Sequence, residues 1–270
     1  MTGPAAPLPP VLLLGGGKMG GAMLAGWRER GLEPSVVVDP ASPPLAGPGV
    51  QVVGSVAGLP PDFRPAAIVL AVKPQQADAA VPGLASLARE AVVLSIMAGT
   101  TTRRIGGMLG AGTAVVRAMP NTPAAIRRGI TVAFRGPGVD EAQATLCDAL
   151  LASIGEVAWV EDEALLDAVT AVSGSGPAYV FLLAELLQRA AEEQGIPPVL
   201  ARQMARATVA GSGALLAASA EDAAALRVAV TSPGGTTQAA LGVLMAEGAW
   251  PASVSAAVDA ATRRSRELAG

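Results

Sequence analysis

The amino-acid sequence predicts an α/β domain with a doubly wound, mostly parallel sheet over residues 11–161 and an all-α domain over residues 162–270. Short β-rich runs alternate with amphipathic helical stretches up to Val160. Beyond Glu161 the β-rich runs stop, and helical stretches are separated by Gly, Ser and Pro. The length of 270 residues also favours two domains. We expect the proline-containing residues 1–10 to form a flexible tail.

Seven strands and four helices are predicted before residue 161. Runs such as Val92–Leu94 are apolar on both faces, which indicates that helices cover both sides of the sheet. The segment Pro40–Pro48 is expected to be a surface connection. The predicted strands are Val11–Leu14, Ser35–Asp39, Ala67–Val72, Val92–Met97, Ala114–Ala118, Ile130–Phe134 and Glu156–Val160. The predicted helices are Lys18–Arg30, Gln75–Arg89, Thr101–Leu109 and Asp140–Ser153.

Composition excludes several classes of chemistry. The net charge of −3, with no run of like charges, gives no basic face for nucleic acid or an anionic membrane. The chain has no His and only one Cys, Cys147, so a His-based triad, a His-ligated metal and a disulfide framework are excluded, and we expect no metal. Cys147 is interpreted as a small buried hydrophobe.

The sequence also predicts a cytoplasmic protein. The most apolar stretch, Tyr179–Leu187, is interrupted by Glu185 and falls short of the ~20 apolar residues that a membrane helix needs. Residues 1–10 lack the basic start and apolar centre of a signal peptide.

A glycine motif follows the first predicted strand. Gly15, Gly17 and Gly20 form the pattern G-x-G-x-x-G, which opens an amphipathic helix and precedes a second strand within about 30 residues. Such glycines allow a tight turn and bring backbone N–H groups against a pyrophosphate at a helix N-terminus. The motif therefore predicts a dinucleotide-binding (Rossmann) domain. The alternative is a glycine-rich turn that serves helix packing only.

Two further residues bear on the cofactor. Asp39 ends the second predicted strand, where a carboxylate accepts hydrogen bonds from the adenosine ribose and repels a 2′-phosphate. This favours NADH over NADPH, although Asp39 could equally be a solvated turn residue. Lys73 is one of two lysines and lies at a strand end, where ligands of such sheets bind.

In the C-terminal half, the segment Val230–Gln238 is a polar, glycine-rich turn that opens onto a predicted helix. Its free N–H groups and hydroxyls suit an anion, and no Arg or Lys occurs from Val228 to Thr262. An ordinary helix N-cap is the alternative. Two other helices, Ala178–Ala191 and Ala201–Ala218, are apolar or small around most of their circumference, which predicts burial against a second copy of the chain.

Several segments together resemble the pyrroline-5-carboxylate reductases. They are Gly15–Gly20, Ala71–Gln75 (AVKPQ), Leu94–Gly99 (LSIMAG), Arg117–Ala124 (RAMPNTPA), Ala171–Phe181 (AVSGSGPAYVF) and Val230–Thr237 (VTSPGGTT). The resemblance implies a Rossmann domain followed by a helical domain that interlocks with a partner in a homodimer, and larger rings such as a decamer of five dimers. It also implies reduction of 1-pyrroline-5-carboxylate to L-proline with NADPH or NADH.

The resemblance carries site residues over by motif. Thr237 would be catalytic, hydrogen-bonded to the ring nitrogen, within a substrate-binding set of Ser232, Gly235, Thr236 and Thr237. Two departures concern the cofactor: Lys18 stands where members commonly have Asn, and Asp39 stands where many have residues suited to a 2′-phosphate. The implied cofactor-binding residues are Gly15, Gly17, Lys18, Met19, Gly20, Asp39, Ser55, Ala71, Val72, Lys73, Pro74, Ala98, Gly99, Met119, Pro120 and Asn121.

The residue inventory is compatible with imine reduction. A cyclic imine protonated on nitrogen is already an electrophile, so the protein's work would be to hold the reacting carbons near ~3–3.5 Å. The Thr237 hydroxyl is too weak an acid to donate a proton outright, but it could orient the nitrogen and relay a proton from water. Alternatives are a related cyclic imine, a hydroxyacid dehydrogenase, although no Lys follows Lys73, and a non-catalytic dinucleotide-binding sensor.

Overall fold

The computed structural model describes residues 7–41 and 44–269. The chain forms two compact units, one of residues 1–174 with 261–270 and one of residues 175–260. The first unit contains an eight-stranded sheet. Its strands are β1 (Val11–Leu14), β2 (Ser35–Val38), β3 (Val50–Val53), β4 (Ala67–Leu70), β5 (Val92–Ser95), β6 (Val115–Met119), β7 (Gly129–Arg135) and β8 (Gly155–Val160).

The sheet has the order β3-β2-β1-β4-β5-β6-β7-β8. All neighbouring strands are parallel except β6 and β7, which are antiparallel. The doubly wound, mostly parallel sheet is therefore confirmed. The strand order reverses between β1 and β4, so a crevice for ligand lies beyond the carboxyl ends of these two strands.

The sequence prediction missed strand β3. This strand lies at the sheet edge and pairs only with β2 among the described strands, and its Gln51 is exposed. A four-residue edge strand leaves a weak pattern, and its start follows closely on the segment Pro40–Pro48 that was predicted as a connection. Within that segment, Ser42 and Pro43 lie outside the described residues. The other predicted strands agree within one or two residues at each end.

Five α-helices occur within the described residues up to Gly174. They are α1 (Lys18–Glu29), α2 (Ala77–Ala80), α3 (Thr102–Leu109), α4 (Glu141–Leu151) and α5 (Leu165–Val169). The predicted helix Gln75–Arg89 is wrong. Helix α2 has only four residues, and the rest of the segment forms three 3₁₀ turns. Pro82 lacks the N–H that would continue the helix, and Gly83 weakens it further.

Buried apolar residues form one cluster on each face of the sheet. On one face, Trp27 of α1 is fully buried, and its Nε1–H donates to the Leu150 carbonyl at 2.9 Å. Cys147 is fully buried on the same face, which confirms its interpretation as a small hydrophobe. Burial, and secondarily the neighbouring Asp148, raises the pKa of the Cys147 thiol to about 12.

The N-terminal segment joins this unit. Residues 1–6 of the predicted tail lie outside the described part of the chain. Leu8 is buried, its N–H donates to the Gly31 carbonyl, and its own carbonyl accepts from Glu33. Residues from Leu8 onward therefore pack with the sheet rather than extend from it, because Leu8 contributes to the core.

Helix α5 is followed by a π-helical turn, Thr170–Gly174, and Ser175 forms a bend before α6 (Gly176–Glu193). The interruption predicted at Ser173–Pro177 is therefore found at Ser175, between the π turn and α6. Pro177 lies at the start of α6, where a missing N–H costs little, and the wider π turn accommodates the local break in hydrogen bonding.

This stretch differs from the sequence expectation on membranes. By length and composition, Leu165–Glu193 is long and apolar enough to cross a membrane. A single helix of this kind is weak evidence for a membrane span, since the core helix of a soluble protein passes the same test.

The second unit is helical. It contains α6, α7 (Pro198–Ala218), α8 (Ala223–Ala229) and α9 (Thr236–Leu244), and it includes the first part of α10 (Trp250–Ala269). Helices α6 and α7 contact each other, yet Phe181 is 67% exposed and Val199 is 83% exposed. An apolar surface of this extent on one chain is typical of a protein–protein interface.

The sheet ends at Val160, close to the predicted domain boundary at residue 161. Helix α5 contacts β6 and β7 and belongs to the first compact unit. The functional boundary at residue 161 stays a prediction.

Candidate active site

The turn after β1 has the close contacts that require glycine. Gly15 has φ +101°, and a Cβ there would lie 2.8 Å from the carbonyl carbon of Ala71 at the end of β4. A Cβ on Gly20 would lie 2.1 Å from the Gly15 carbonyl oxygen. Gly15 thus lets the chain turn against β4, and Gly20 lets α1 start close to that turn.

Gly17 differs from these two glycines, because a Cβ at this position would meet no heavy atom within 4 Å. Gly17 is the N-cap of α1 and makes no side-chain capping hydrogen bond. The first N–H groups of α1 have no intrahelical partner. Open space in front of an uncapped helix N-terminus, at the reversal point of the sheet, fits the pyrophosphate of a dinucleotide.

Asp39 lies beside the same turn. Its Oδ2 accepts a hydrogen bond from the Gly16 N–H at 2.7 Å, and its Oδ1 accepts from the Ala41 N–H at 2.8 Å. The carboxylate is therefore fixed between the glycine turn and the end of β2 rather than free in solvent. Its charge lies where the adenosine ribose binds in this class of sheet.

The other predicted cofactor residues follow strands at the same carboxyl edge. Ser55 follows β3 and starts a 3₁₀ turn, and Lys73, which is exposed, precedes a second one after β4. Gly99 has φ +66° after β5, and a Cβ there would lie within 3.3 Å of Leu268 in the last part of α10. After β6, Asn121 uses its Oδ1 to accept from the Ile130 N–H at 3.0 Å.

Three features near this edge were not expected from the sequence. Arg127, just after the β6 loop, forms an ion pair with Glu29 of α1. Gly174 lies so close to Met119 that a Cβ would be 2.7 Å from its Cε. Leu268 covers Gly99. Gly174 lies within a quoted motif, but the other two contacts join residues far apart in the sequence and leave no local pattern.

A buried ionic network supports the start of α5. Arg117 of β6 is 5% exposed, and its Nη1 lies 3.2 Å from Glu163 Oε1. Glu163 also accepts from the Thr102 N–H and hydroxyl at the start of α3. The Ser265 hydroxyl donates to Asp167 at 2.7 Å. These side chains satisfy one another, so the network anchors elements of the first unit and does not present a free charge.

The predicted substrate turn has an uncapped helix N-terminus of its own. Gly235 is the N-cap of α9 without a side-chain hydrogen bond, and Gly234 has φ +70°. The Gly234 N–H is occupied by Gln238 Oε1 at 2.5 Å, so the N–H groups of α9 itself are the available donors. The side chains of Ser232 and Thr236 are exposed, and Thr237 is half-buried.

No group of three or more His, Cys, Asp or Glu residues that could hold a metal ion occurs within residues 7–41 and 44–269. Each unit thus has a helix N-terminus without a side-chain cap after a glycine turn, that of α1 in the first unit and that of α9 in the second.

The doubly wound sheet with its glycine turn defines a dinucleotide-binding protein. A family model described as pyrroline-5-carboxylate reductase dimerisation matches residues 163–268, and one described as NADP oxidoreductase coenzyme F420-dependent matches residues 10–99. The chain is 38% identical to the pyrroline-5-carboxylate reductase of Pseudomonas aeruginosa, over 97% of each chain. The chain belongs to the pyrroline-5-carboxylate reductase family.

Two solved structures agree with this membership. The pyrroline-5-carboxylate reductase of Coxiella burnetii matches with a TM-score of 0.86 and 33% identity, over 96% of this chain and 98% of that one. The pyrroline carboxylate reductase of Plasmodium falciparum, solved with NADP bound, matches with a TM-score of 0.82 and 25% identity over the same shares.

The comparisons confirm the expected family, the fold class and an NAD(P)H-dependent pyrroline-5-carboxylate reductase activity. They also support assembly of the chain with copies of itself and a small-molecule substrate.

Proposed function

This chain reduces 1-pyrroline-5-carboxylate to L-proline, the last step of proline biosynthesis, and we propose that the turn Ser232–Thr237 holds the substrate carboxylate. The observation that carries the proposal is the uncapped N-terminus of α9, where Gly235 leaves the first N–H groups without side-chain partners. No Arg or Lys occurs from Val228 to Thr262, so amides and hydroxyls must hold the acid group.

The cofactor half of the proposal rests on the carboxyl edge of the sheet. Gly15, Gly17, Lys18, Met19 and Gly20 would hold the pyrophosphate, since Gly17 leaves open space in front of α1. The remaining contacts would come from strand ends, namely Ser55, Ala71, Val72, Lys73, Pro74, Ala98, Gly99, Met119, Pro120 and Asn121. When bound there, a reduced nicotinamide supplies the hydride that the imine carbon accepts.

Within NAD(P)H, we propose a preference for NADH. The Asp39 carboxylate is fixed by two backbone N–H groups, so it cannot turn away from an incoming ribose without losing both hydrogen bonds. A carboxylate in this position accepts from the ribose hydroxyls of NADH and repels the 2′-phosphate of NADPH.

Thr237 is the proposed catalytic residue. The substrate, protonated on its ring nitrogen, is already electrophilic, so hydride adds to the imine carbon while the proton stays on nitrogen as the product amine. The Thr237 hydroxyl orients that nitrogen by a hydrogen bond and passes a proton from water to the site. Ser232 and Thr236 add hydroxyl donors beside the α9 amides.

The exposed apolar surface of α6 and α7 supports a homodimer through the C-terminal helices, and we propose a decamer of five dimers as the larger assembly. We place the active protein in the cytoplasm. The functional domains proposed are residues 11–161 for the dinucleotide and residues 162–270 for substrate and dimerisation.

The test is a steady-state assay with 1-pyrroline-5-carboxylate and NADH or NADPH in parallel. Wild-type chain should form proline, and Thr237→Ala should lower kcat by about tenfold or more with cofactor affinity nearly unchanged. Thr237→Ser, which keeps the hydroxyl, is the matched control and should retain most activity.

Unchanged turnover in Thr237→Ala would remove Thr237 from the mechanism. Faster reduction of a six-membered cyclic imine, oxidation of a hydroxyacid, or cofactor binding without turnover would each point to one of the alternative functions instead.

A further inference from the structure

Arg127 adopts a backbone conformation that disfavours side chains. It has φ 60° and ψ 27° at the end of the 3₁₀ turn Thr122–Ile126, and it is the one non-glycine residue with positive φ within residues 7–41 and 44–269. Glycine occupies this left-handed region freely, whereas a residue with a Cβ is strained there. Strain of this kind persists where the side chain is needed by its surroundings.

The Arg127 side chain joins its own turn to helix α1. Its Nε and Nη2 donate to the two carboxylate oxygens of Glu29 at 3.1 and 2.7 Å. Its Nη1 lies 3.4 Å from the carbonyl oxygens of Ala22 and Ala124. One planar guanidinium thus contacts α1 at two points, a carboxylate near its end and a carbonyl within it, while staying in contact with the turn after β6.

The ion pair itself contributes little to global stability. The Glu29 side chain is 65% exposed and that of Arg127 is 27% exposed, so solvent screens most of their attraction. The strain at Arg127 costs free energy, and its screened ion pair with Glu29 returns little, so stability alone does not explain an arginine at this position. Fixing the position of the turn relative to α1 accounts for both the bidentate geometry and the strain.

The elements joined by Arg127 carry the two halves of the proposed cofactor site. Helix α1 begins at the glycine turn, and the segment before Arg127 contains Met119–Asn121 at the end of β6. This segment is internally fixed, because Asn121 accepts from the Ile130 N–H and Gly129 has no room for a Cβ against Ala124. Strands β1 and β6 are three strand spacings apart, about 14 Å.

We propose that Arg127 is a positioning residue for the dinucleotide. Arg127 holds the turn after β6 against α1 and thereby keeps Met119–Asn121 at a fixed distance from the glycine turn. Both ends of one extended cofactor are then held at once. This inference rests on the proposed function, since that function assigns the cofactor to these loops.

The test compares Arg127→Gly with Arg127→Ala. Both remove the guanidinium, but Gly also relieves the left-handed strain, whereas Ala keeps it. We expect Arg127→Gly to raise the Kd of NADH, measured by calorimetry, by about fivefold or more while its Tm without ligand stays at or above the wild-type value. Arg127→Ala should show the same loss of affinity with a Tm below that of Arg127→Gly, because alanine keeps the strain. In both variants the imine substrate should keep its wild-type KM.

Glu29→Gln tests the other partner of the ion pair and leaves Arg127 in place. It should also raise the Kd of NADH. Its matched control is Glu141→Gln, which breaks the exposed ion pair of Glu141 with Arg135 on another part of the sheet and should leave the Kd unchanged. If NADPH binds wild type more tightly than NADH, the same comparison is made with NADPH.

A wild-type Kd in Arg127→Gly and Glu29→Gln would overturn the proposal, and so would an equal change of Kd in Glu141→Gln. If Arg127→Gly does not fold, the Glu29→Gln result decides alone. Failure of the wild-type chain to bind either cofactor would instead refute the proposed function, so the two failures are distinguishable.

Discussion

Gly17 gives the sharpest test of the cofactor site, because a Cβ there would meet no heavy atom within 4 Å beyond its own neighbours in the chain. Its backbone, at φ −67° and ψ −168°, is accessible to alanine without strain. Gly17→Ala therefore places a methyl group in front of α1 with no steric clash inside the protein.

The expected effect on folding is small. Alanine is a poorer N-cap than glycine by several tenths of a kcal/mol, about as much as the substitution regains by restricting the unfolded chain. The expected effect on cofactor binding is large. A methyl group here keeps a pyrophosphate from hydrogen-bond distance of the α1 amides, and one lost charge-assisted hydrogen bond costs about 1.5–3 kcal/mol. The Kd should then rise about 10- to 100-fold.

Calorimetric titration with NADH and NADPH measures the Kd, and thermal unfolding without ligand measures the Tm. Gly21→Ala is the matched control, because its Cβ would make only ordinary contacts at 3.8 Å with Gly16 and Leu45. It should leave the Kd unchanged and stabilise α1 by about 0.5–1 kcal/mol. Wild-type affinity in Gly17→Ala would refute the pyrophosphate site at this turn.

Three further predictions concern other residues. Asp39→Asn removes the charge beside the ribose position, so the ratio of kcat/KM for NADPH to that for NADH should rise by about tenfold, and an unchanged ratio would show that Asp39 does not select the cofactor. Burial raises the pKa of Cys147 from 9.0 to about 12, so the thiol loses its proton at a lower pH in the unfolded chain than in the folded one. The free energy of unfolding should therefore fall as the pH rises above 9, by up to about 1.4 kcal/mol per pH unit. Urea unfolding at pH 8 and pH 10 measures this fall, which should be smaller in Cys147→Ala; an equal fall in both chains contradicts the assignment. Gly174→Ala would displace the flexible end of the Met119 side chain, so the Kd of the cofactor should rise about two- to fivefold with little change in Tm. An unchanged Kd would show that Met119 is not part of the cofactor site.

Much of the sheet could be predicted from the sequence because its strands are apolar on both faces. Strand β1 agrees at both ends, and the glycine turn after it follows a pattern whose physical reasons are local. The short edge strand β3 was missed because it has one exposed face and few residues. The helix predicted over Gln75–Arg89 failed because Pro82 and Gly83 outweigh an otherwise helical composition.

The sequence alone suggests a site where the chemistry lies in one segment, as for the turn Ser232–Thr237, whose role in substrate binding stays a prediction. The site was not predictable where tertiary contacts join distant segments. Two such contacts are the hydrogen bond from Gly16 to Asp39 and the ion pair of Arg127 with Glu29. Both depend on how the loops pack at the carboxyl edge of the sheet, which the sequence of a single segment does not predict. The break at Ser173–Pro177 was predictable from its Gly, Ser and Pro residues, whereas the π turn before it leaves no comparable signal in the sequence.

The function proposed for this chain requires that amides of the turn before α9 hold the substrate's acid group while the glycine turn holds the dinucleotide. A crystal structure of the assembled protein with oxidised cofactor and an unreactive cyclic analogue of proline would show both contacts at once. We predict that the analogue's carboxylate lies within hydrogen-bond distance of the N–H groups of residues 235–237, with its ring beside Thr237 and the nicotinamide. A carboxylate bound by an arginine or lysine elsewhere, with Thr237 remote from the ring, would contradict this arrangement.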